Sequence, residues 1–183
     1  MRDKTNSFRV LSGQFKGAKL RSPASPQTHP MGAREKLALF NRLLPYLPAA
    51  KVLDAYAGSG ALGIEAASRG ADEVVFVEQT PSVAQVISQN LQQLNLAAEV
   101  FVESVEKFAL RSEYQTTFDI VIADPPYDKF NLPDITRLVT VLAPSGILAL
   151  SYPAKFSTPE FSGLELLSDR KYAGAKIALY QKL

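Results

Sequence analysis

From residue 51 onward, short apolar runs alternate with helix-like segments, and this alternation limits the fold more than any other feature of the chain. The runs are "KVLDA", "EVVFVE", "AEVFVE", "FDIVIAD" and "GILALSY". They are apolar almost throughout, as strands buried on both faces must be, and the helical segments between them act as crossovers. The pattern predicts a doubly wound, mostly parallel α/β sheet. Thr80 and Pro81 open a helix reaching about Asn95, with Thr80 as N-cap and Pro81 at the first helical position; Gly70 is placed to end the helix before it. The tail "LELLSDRKYAGAKIALYQKL" reads as two strands around "AGA", so the sheet should finish in an antiparallel hairpin. Ahead of residue 51, "REKLALFNRLLPYL" puts Leu37, Phe40, Leu43 and Leu44 on one helical stripe ending near Pro45. Residues 22–32 are rich in Pro, Ser and Gly and read as a linker or binding loop, while 8–21 read as a short β-hairpin with Gly13 and Gly17 at turns. The expected division is an N-terminal arm over 1–32 and one main domain over 33–183, for which 183 residues at 46% hydrophobic content provide a sufficient core.

The first strand runs into "VLDAYAGSGALGIEAASRG", which contains Gly58-x-Gly60-x-x-Gly63 between strand and helix. Taken alone this matches a dinucleotide-binding fingerprint, with Glu78 about where a ribose-binding acid should stand. Asp54 discriminates between cofactors. It ends the first strand, at the edge where such sheets bind ligands, and a carboxylate beside a pyrophosphate would be repelled. Beside S-adenosylmethionine (SAM), which carries an ammonium and a sulfonium group, the same charge is favourable. Glu78 can accept hydrogen bonds from both ribose hydroxyls. The plain alternative is an Asp and a Glu that merely finish strands.

The fourth run ends in "DPPY", residues 124–127. Two consecutive prolines can continue neither a helix nor a ladder, and they leave carbonyls with no competing N–H donor. An exocyclic amine on a purine needs acceptors. The Asp124 carboxylate and the Pro125 carbonyl can each take one of its hydrogens, with Pro126 fixing the turn and aiming the nitrogen lone pair at a methyl donor. Tyr127 can stack on the base, a contact worth roughly 1–3 kcal/mol. The target base must be unstacked to reach such a pocket. Guanine N2 and adenine N6 suit these acceptors equally.

Charge is unevenly distributed. The formal net charge is +2, yet residues 1–36 hold eight basic groups against Asp3 and Glu35, which leaves the remainder at −4. A basic arm on a mildly acidic body is the electrostatic footprint of a polyanion partner. There is no cysteine and one histidine, which rules out disulfides, thiolate zinc sites and a cysteine nucleophile and makes a metal unexpected. No stretch approaches the ~20 apolar residues of a membrane span, and the N-terminus lacks a signal-peptide core, so a cytoplasmic location is expected.

Together these stretches resemble the Rossmann-like SAM-dependent methyltransferases with an (Asp/Asn)-Pro-Pro-Tyr motif, and within them the RsmD-type enzymes acting on guanine N2 of bacterial small-subunit (16S) rRNA. The likeness runs through "RVLSGQFKGAKLRSP", "HPMGAREKLALFN", "VLDAYAGSGALGIEAASRGADEVVFVEQ" and "FDIVIADPPYD". It implies a seven-stranded sheet with SAM held by Asp54, Ala57, Gly58, Ser59, Gly60 and Glu78, and Asp124, Pro125, Pro126 and Tyr127 as the amine site. It also implies docking through Arg9, Lys16, Lys19, Arg21 and His29 on rRNA in an assembled or partly assembled small subunit. Two positions depart from the family pattern. His29-Pro30-Met31 replaces the usual "RPT", and Ser104 stands where an Asp would hold the adenine amine. A DNA adenine-N6 methyltransferase and a non-catalytic SAM- or RNA-binding assembly factor are the competing readings.

Overall fold

The computed structural model describes residues 9–23, 31–172 and 174–183. Seven strands form one sheet: β1 (Lys51–Asp54), β2 (Glu73–Val77), β3 (Glu99–Phe101), β4 (Phe118–Ala123), β5 (Leu142–Pro153), β6 (Leu164–Tyr172) and β7 (Ala175–Lys182). Their order is β3-β2-β1-β4-β5-β7-β6. The first five pair in parallel, and β7 inserts antiparallel between β5 and β6, which makes the expected terminal hairpin. The helices are α1 (Ala33–Leu43), α2 (Ala61–Ser68), α3 (Pro81–Leu94), α4 (Val105–Phe108) and α5 (Leu132–Arg137).

Successive strand residues point to opposite faces, so each apolar run feeds two cores. Val52, Val74, Phe76, Ile120 and Ile122 pack with Leu39, Phe40, Ile64 and Ile87 from α1, α2 and α3. Leu53, Val75, Val77, Val121 and Leu148 pack with Phe108, Ile135 and Leu138 on the other face. Among the described residues, no helix is long and apolar enough to cross a membrane.

Two local readings differ from the structure, and most of the 22–32 segment lies outside the described residues. Thr80 does occupy the N-cap position before Pro81, but its side chain makes no capping bond; the Glu78 carboxylate accepts the Thr80 N–H instead, at 2.8 Å. The buried face of α1 is Lys36, Leu39, Phe40 and Leu43, whereas Leu37 and Leu44 are 45% and 54% exposed. A cation therefore occupies a core position on a helix whose apolar residues alone suggested a different stripe.

The reason lies in the arm. It turns back on itself, as Gly13 and Gly17 suggest, and among the described residues it shows one isolated antiparallel bridge, between Arg9 and Lys19, rather than a ladder. Backbone bonds join Val10 to Gly17 and Ala18, and side chains of the main domain satisfy further backbone groups. Glu65 of α2, fully buried, accepts the N–H groups of Leu11 and Ser12 at 2.8 and 3.1 Å. Ser68 accepts from Phe15 and donates to the Ser12 carbonyl. Asn90 of α3 accepts the Arg21 N–H at 2.7 Å and donates to the Arg21 carbonyl. The buried charge of Glu65 is matched by Arg69 at 2.8 Å and Lys36 at 3.6 Å, and Lys36 also donates to the Arg9 carbonyl.

Candidate active site

In the order β3-β2-β1-β4, the chain runs outward from β1 and then returns to its other side. The carboxyl ends of β1 and β4 are thus the topological switch point, where open α/β sheets leave a crevice. Parallel pairing sets Asp54 level with Ile122, so Asp124 lies just beyond it on the same edge. Glu78 directly follows β2. The sheet therefore brings together the three acids that the sequence singled out.

Asp54 is 1% exposed. Its Oδ2 accepts the Gly63 N–H at 2.7 Å inside the first turn of α2, and its Oδ1 is buried without a hydrogen-bond partner. Burial raises its pKa to about 7, the Gly63 bond opposes this, and the nearby Asp124 and Glu78 charges add to it. Glu78 braces the glycine loop: one oxygen accepts Gly58 N–H at 3.0 Å, the other Thr80 N–H. Gly58 and Gly60 adopt φ of +55° and +79°, a region that costs other residues strain, and a Cβ on Gly58 would meet open space. Ala57 and Ser59 are buried; the Ala57 N–H reaches the Val77 carbonyl, and Asn90 donates to the Ser59 carbonyl. Asn90 thereby couples the loop to Arg21 of the arm. Ser104 caps α4, its hydroxyl oxygen accepting the Lys107 N–H at 3.4 Å, and it lowers the pKa of neighbouring Glu106, so its hydroxyl serves its own helix.

These residues fit SAM. A buried carboxylate oxygen without a donor calls for one, and three clustered acids favour a cationic ligand.

Past β4, Pro125 is buried while Pro126 and Tyr127 face outward, and Tyr127 opens a short 3-10 turn to Lys129. Asp124 is partly buried, and that burial raises its pKa to about 6, against a hydrogen bond from Ser151 that lowers it. The Tyr127 hydroxyl lies 2.7 Å from Ser151 Oγ. Its own pKa is pushed up to about 12 by burial, with Asp124 and Glu35 adding to the effect. Two residues the sequence reading passed over thus stand at the motif: Ser151 on β5 and Glu35 in the first turn of α1. The signal for Ser151 was a lone hydroxyl inside the apolar run "GILALSY".

Lys16, Lys19 and Arg21 are exposed along the arm, whereas Arg9 is half-buried and donates to the Gly17 carbonyl. Arg21 sits closest to the site, through Asn90 and Ser59; Lys16 follows Phe15, which is held at Ser68 at the far end of α2. His29 lies outside the described residues.

Comparison with known proteins agrees with this geometry. The family model described as conserved hypothetical protein 95 matches residues 8–181. The chain is similar to "Putative rRNA methyltransferase YlbH" of Bacillus subtilis, 32% identical over 96% of this chain and 99% of that protein. It is also similar to "Ribosomal RNA small subunit methyltransferase D" of Haemophilus influenzae, 42% identical over 68% of this chain and 65% of that protein. Among solved structures, "Putative methyltransferase yhhF" from Escherichia coli superposes with a TM-score of 0.85 at 30% identity, covering 96% of this chain and 97% of that one. A family model spanning nearly the whole chain, on a sheet whose glycine loop and Asp-Pro-Pro-Tyr turn share one edge, places this chain in the RsmD-type rRNA methyltransferase family.

Proposed function

We propose that the protein transfers a methyl group from SAM to the exocyclic N2 amine of a guanine in small-subunit (16S) rRNA. The observation that carries this reading is the placement of Asp124 at the switch point, one short step along the edge from the buried, incompletely bonded Asp54. When bound, SAM supplies an electrophilic methyl on a sulfonium. Asp54, Ala57, Gly58, Ser59, Gly60 and Glu78 would hold it, with Ser104 or a backbone group near the adenine.

Asp124 and the Pro125 carbonyl accept the two amine hydrogens and so turn the nitrogen lone pair toward the methyl. Tyr127, 39% exposed, offers a ring face to the base. Little acid–base power is needed, because the nitrogen's proton becomes acidic as the new bond forms and can leave to Asp124 or water. Positioning and acceptor alignment supply most of the catalysis. Residues 1–32 serve as the RNA-contacting arm and 33–183 as the methyltransferase domain. Lys16, Lys19 and Arg21 make phosphate contacts that fix orientation on a folded rRNA, in an assembled or partly assembled subunit in the cytoplasm. Arg9 and His29 are assigned to RNA contact as well.

The test is transfer of labelled methyl from SAM to small subunits, free rRNA and DNA, followed by nucleoside analysis. N2-methylguanosine from the ribosomal substrates alone is the expected product. N6-methyladenine from DNA would overturn the guanine assignment. No product despite measurable SAM binding would make the protein an assembly factor.

A further inference from the structure

Ser151 is 2% exposed, on a strand whose neighbours Leu148, Ala149, Leu150 and Tyr152 are all buried. A lone hydroxyl in such a run must find partners or carry an unmet bond. It finds the Tyr127 hydroxyl at 2.7 Å and stands beside Asp124, whose pKa it lowers, and both neighbours belong to the Asp-Pro-Pro-Tyr turn. Register explains the meeting, since Ala123 of β4 pairs with Leu150 of β5 and the next residues on each strand are Asp124 and Ser151.

We propose that Ser151 is a positioning residue, which ties Asp124 and Tyr127 into one arrangement so that acceptor and stacking ring face the target base together. The inference rests on the reading of residues 124–127 as the amine site. A serine hydroxyl has one proton to give and lone pairs to receive with, and an ionised carboxylate only accepts. The chain of bonds therefore runs from the Tyr127 O–H to Ser151 Oγ, and from the Ser151 O–H to the Asp124 carboxylate. One Asp124 lone pair is committed to Ser151, which orients the others toward the crevice. The same chain fixes Tyr127 at its hydroxyl while leaving its ring free. Among the described residues, the charged groups whose influence on Asp124 or Tyr127 is resolved from other elements are acidic: Asp54 from β1, beside Asp124, and Glu35 from α1, beside Tyr127.

The experiment compares Ser151→Ala, Ser151→Thr, Tyr127→Phe and the Ser151→Ala/Tyr127→Phe double variant, with folding checked by thermal melting. The Asp124 carboxyl is followed by carbon-13 NMR titration in the free protein, and kcat and KM are measured on the rRNA substrate. In Ser151→Ala, Asp124 should titrate at higher pH than in the parent, because the carboxylate has lost a donor. Turnover should fall roughly tenfold or more, the range expected for a hydrogen bond to a charged group, with KM nearly unchanged. Ser151→Thr, which keeps the hydroxyl, should recover most of both. Tyr127→Phe should cost less in the Ala background than alone, because the link it cuts is already broken. Unchanged titration or unchanged turnover in Ser151→Ala would overturn the inference and leave the contact as packing. Failure of the parent itself to methylate any nucleic acid would instead bring down the amine-site reading, and the positioning role with it.

Discussion

At the scale of single residues, the site is governed by how carboxylates are buried. Among the described residues Asp124 has no basic partner at the switch point, and its raised pKa follows from lost solvation. If it must be ionised to accept from an amine, kcat/KM for the free enzyme should decline as pH falls below about 6. A pH–rate profile on rRNA checks this, and a flat profile down to pH 5 would remove Asp124 from the acceptor role. Asp124→Ala should abolish turnover while calorimetry still detects SAM binding; full turnover would refute the assignment. Asp54, Glu78 and Asp124 were legible in the sequence because each closes an apolar run, and parallel pairing brings such ends to one edge. Ser151 was not, since its role depends on which strand lies beside β4, and β5 is separated from β4 in the chain by α5 and its flanking turns.

At the scale of elements, the arm is the part whose physics the sequence disguised. Its glycines and the apolar residues around them suggest a short hairpin, yet its backbone is completed by Glu65, Ser68 and Asn90, which lie about 50 to 70 residues further on. Likewise Lys36 falls on the inner face of α1, where it meets Glu65 and the Arg9 carbonyl. Glu65→Ala should therefore do more than loosen the arm. It removes the carboxylate that faces buried Lys36 and Arg69, and losing one partner of a buried ion pair costs about 3–5 kcal/mol. Urea unfolding measures the cost, and a change below about 1 kcal/mol would mean that the cluster is solvated and not the anchor. Lys16, Lys19 and Arg21 pose the complementary case, because their side chains are exposed and stability should not depend on them. Replacing all three with Ala should weaken RNA binding and reduce the slope of log affinity against log salt by about two. An unchanged slope would take the arm out of the interface.

At the scale of the whole molecule, the doubly wound topology gathers acidic strand ends at one edge and leaves the folded protein holding protons there that the unfolded chain would release. Asp54 and Asp124 have pKa values of about 7 and about 6, well above the ordinary carboxylate value of 3.8. Between about pH 4 and pH 7 the native state therefore binds more protons than the unfolded state, and stability from these two groups is lost as pH rises through that window. A sulfonium near the acids reverses the sign by favouring their ionised forms. If SAM is the cofactor, its stabilising effect should exceed that of S-adenosylhomocysteine, which lacks the sulfonium charge, and the excess should widen from pH 5 to pH 8. Each unit by which the cation lowers a carboxyl pKa is worth about 1.4 kcal/mol above that window. Thermal melting with each ligand at saturation, at both pH values, measures the difference. An excess equal at pH 5 and pH 8 would mean that the cation does not sense Asp54 or Asp124, and the acidic edge would then have to be explained without the methyl donor.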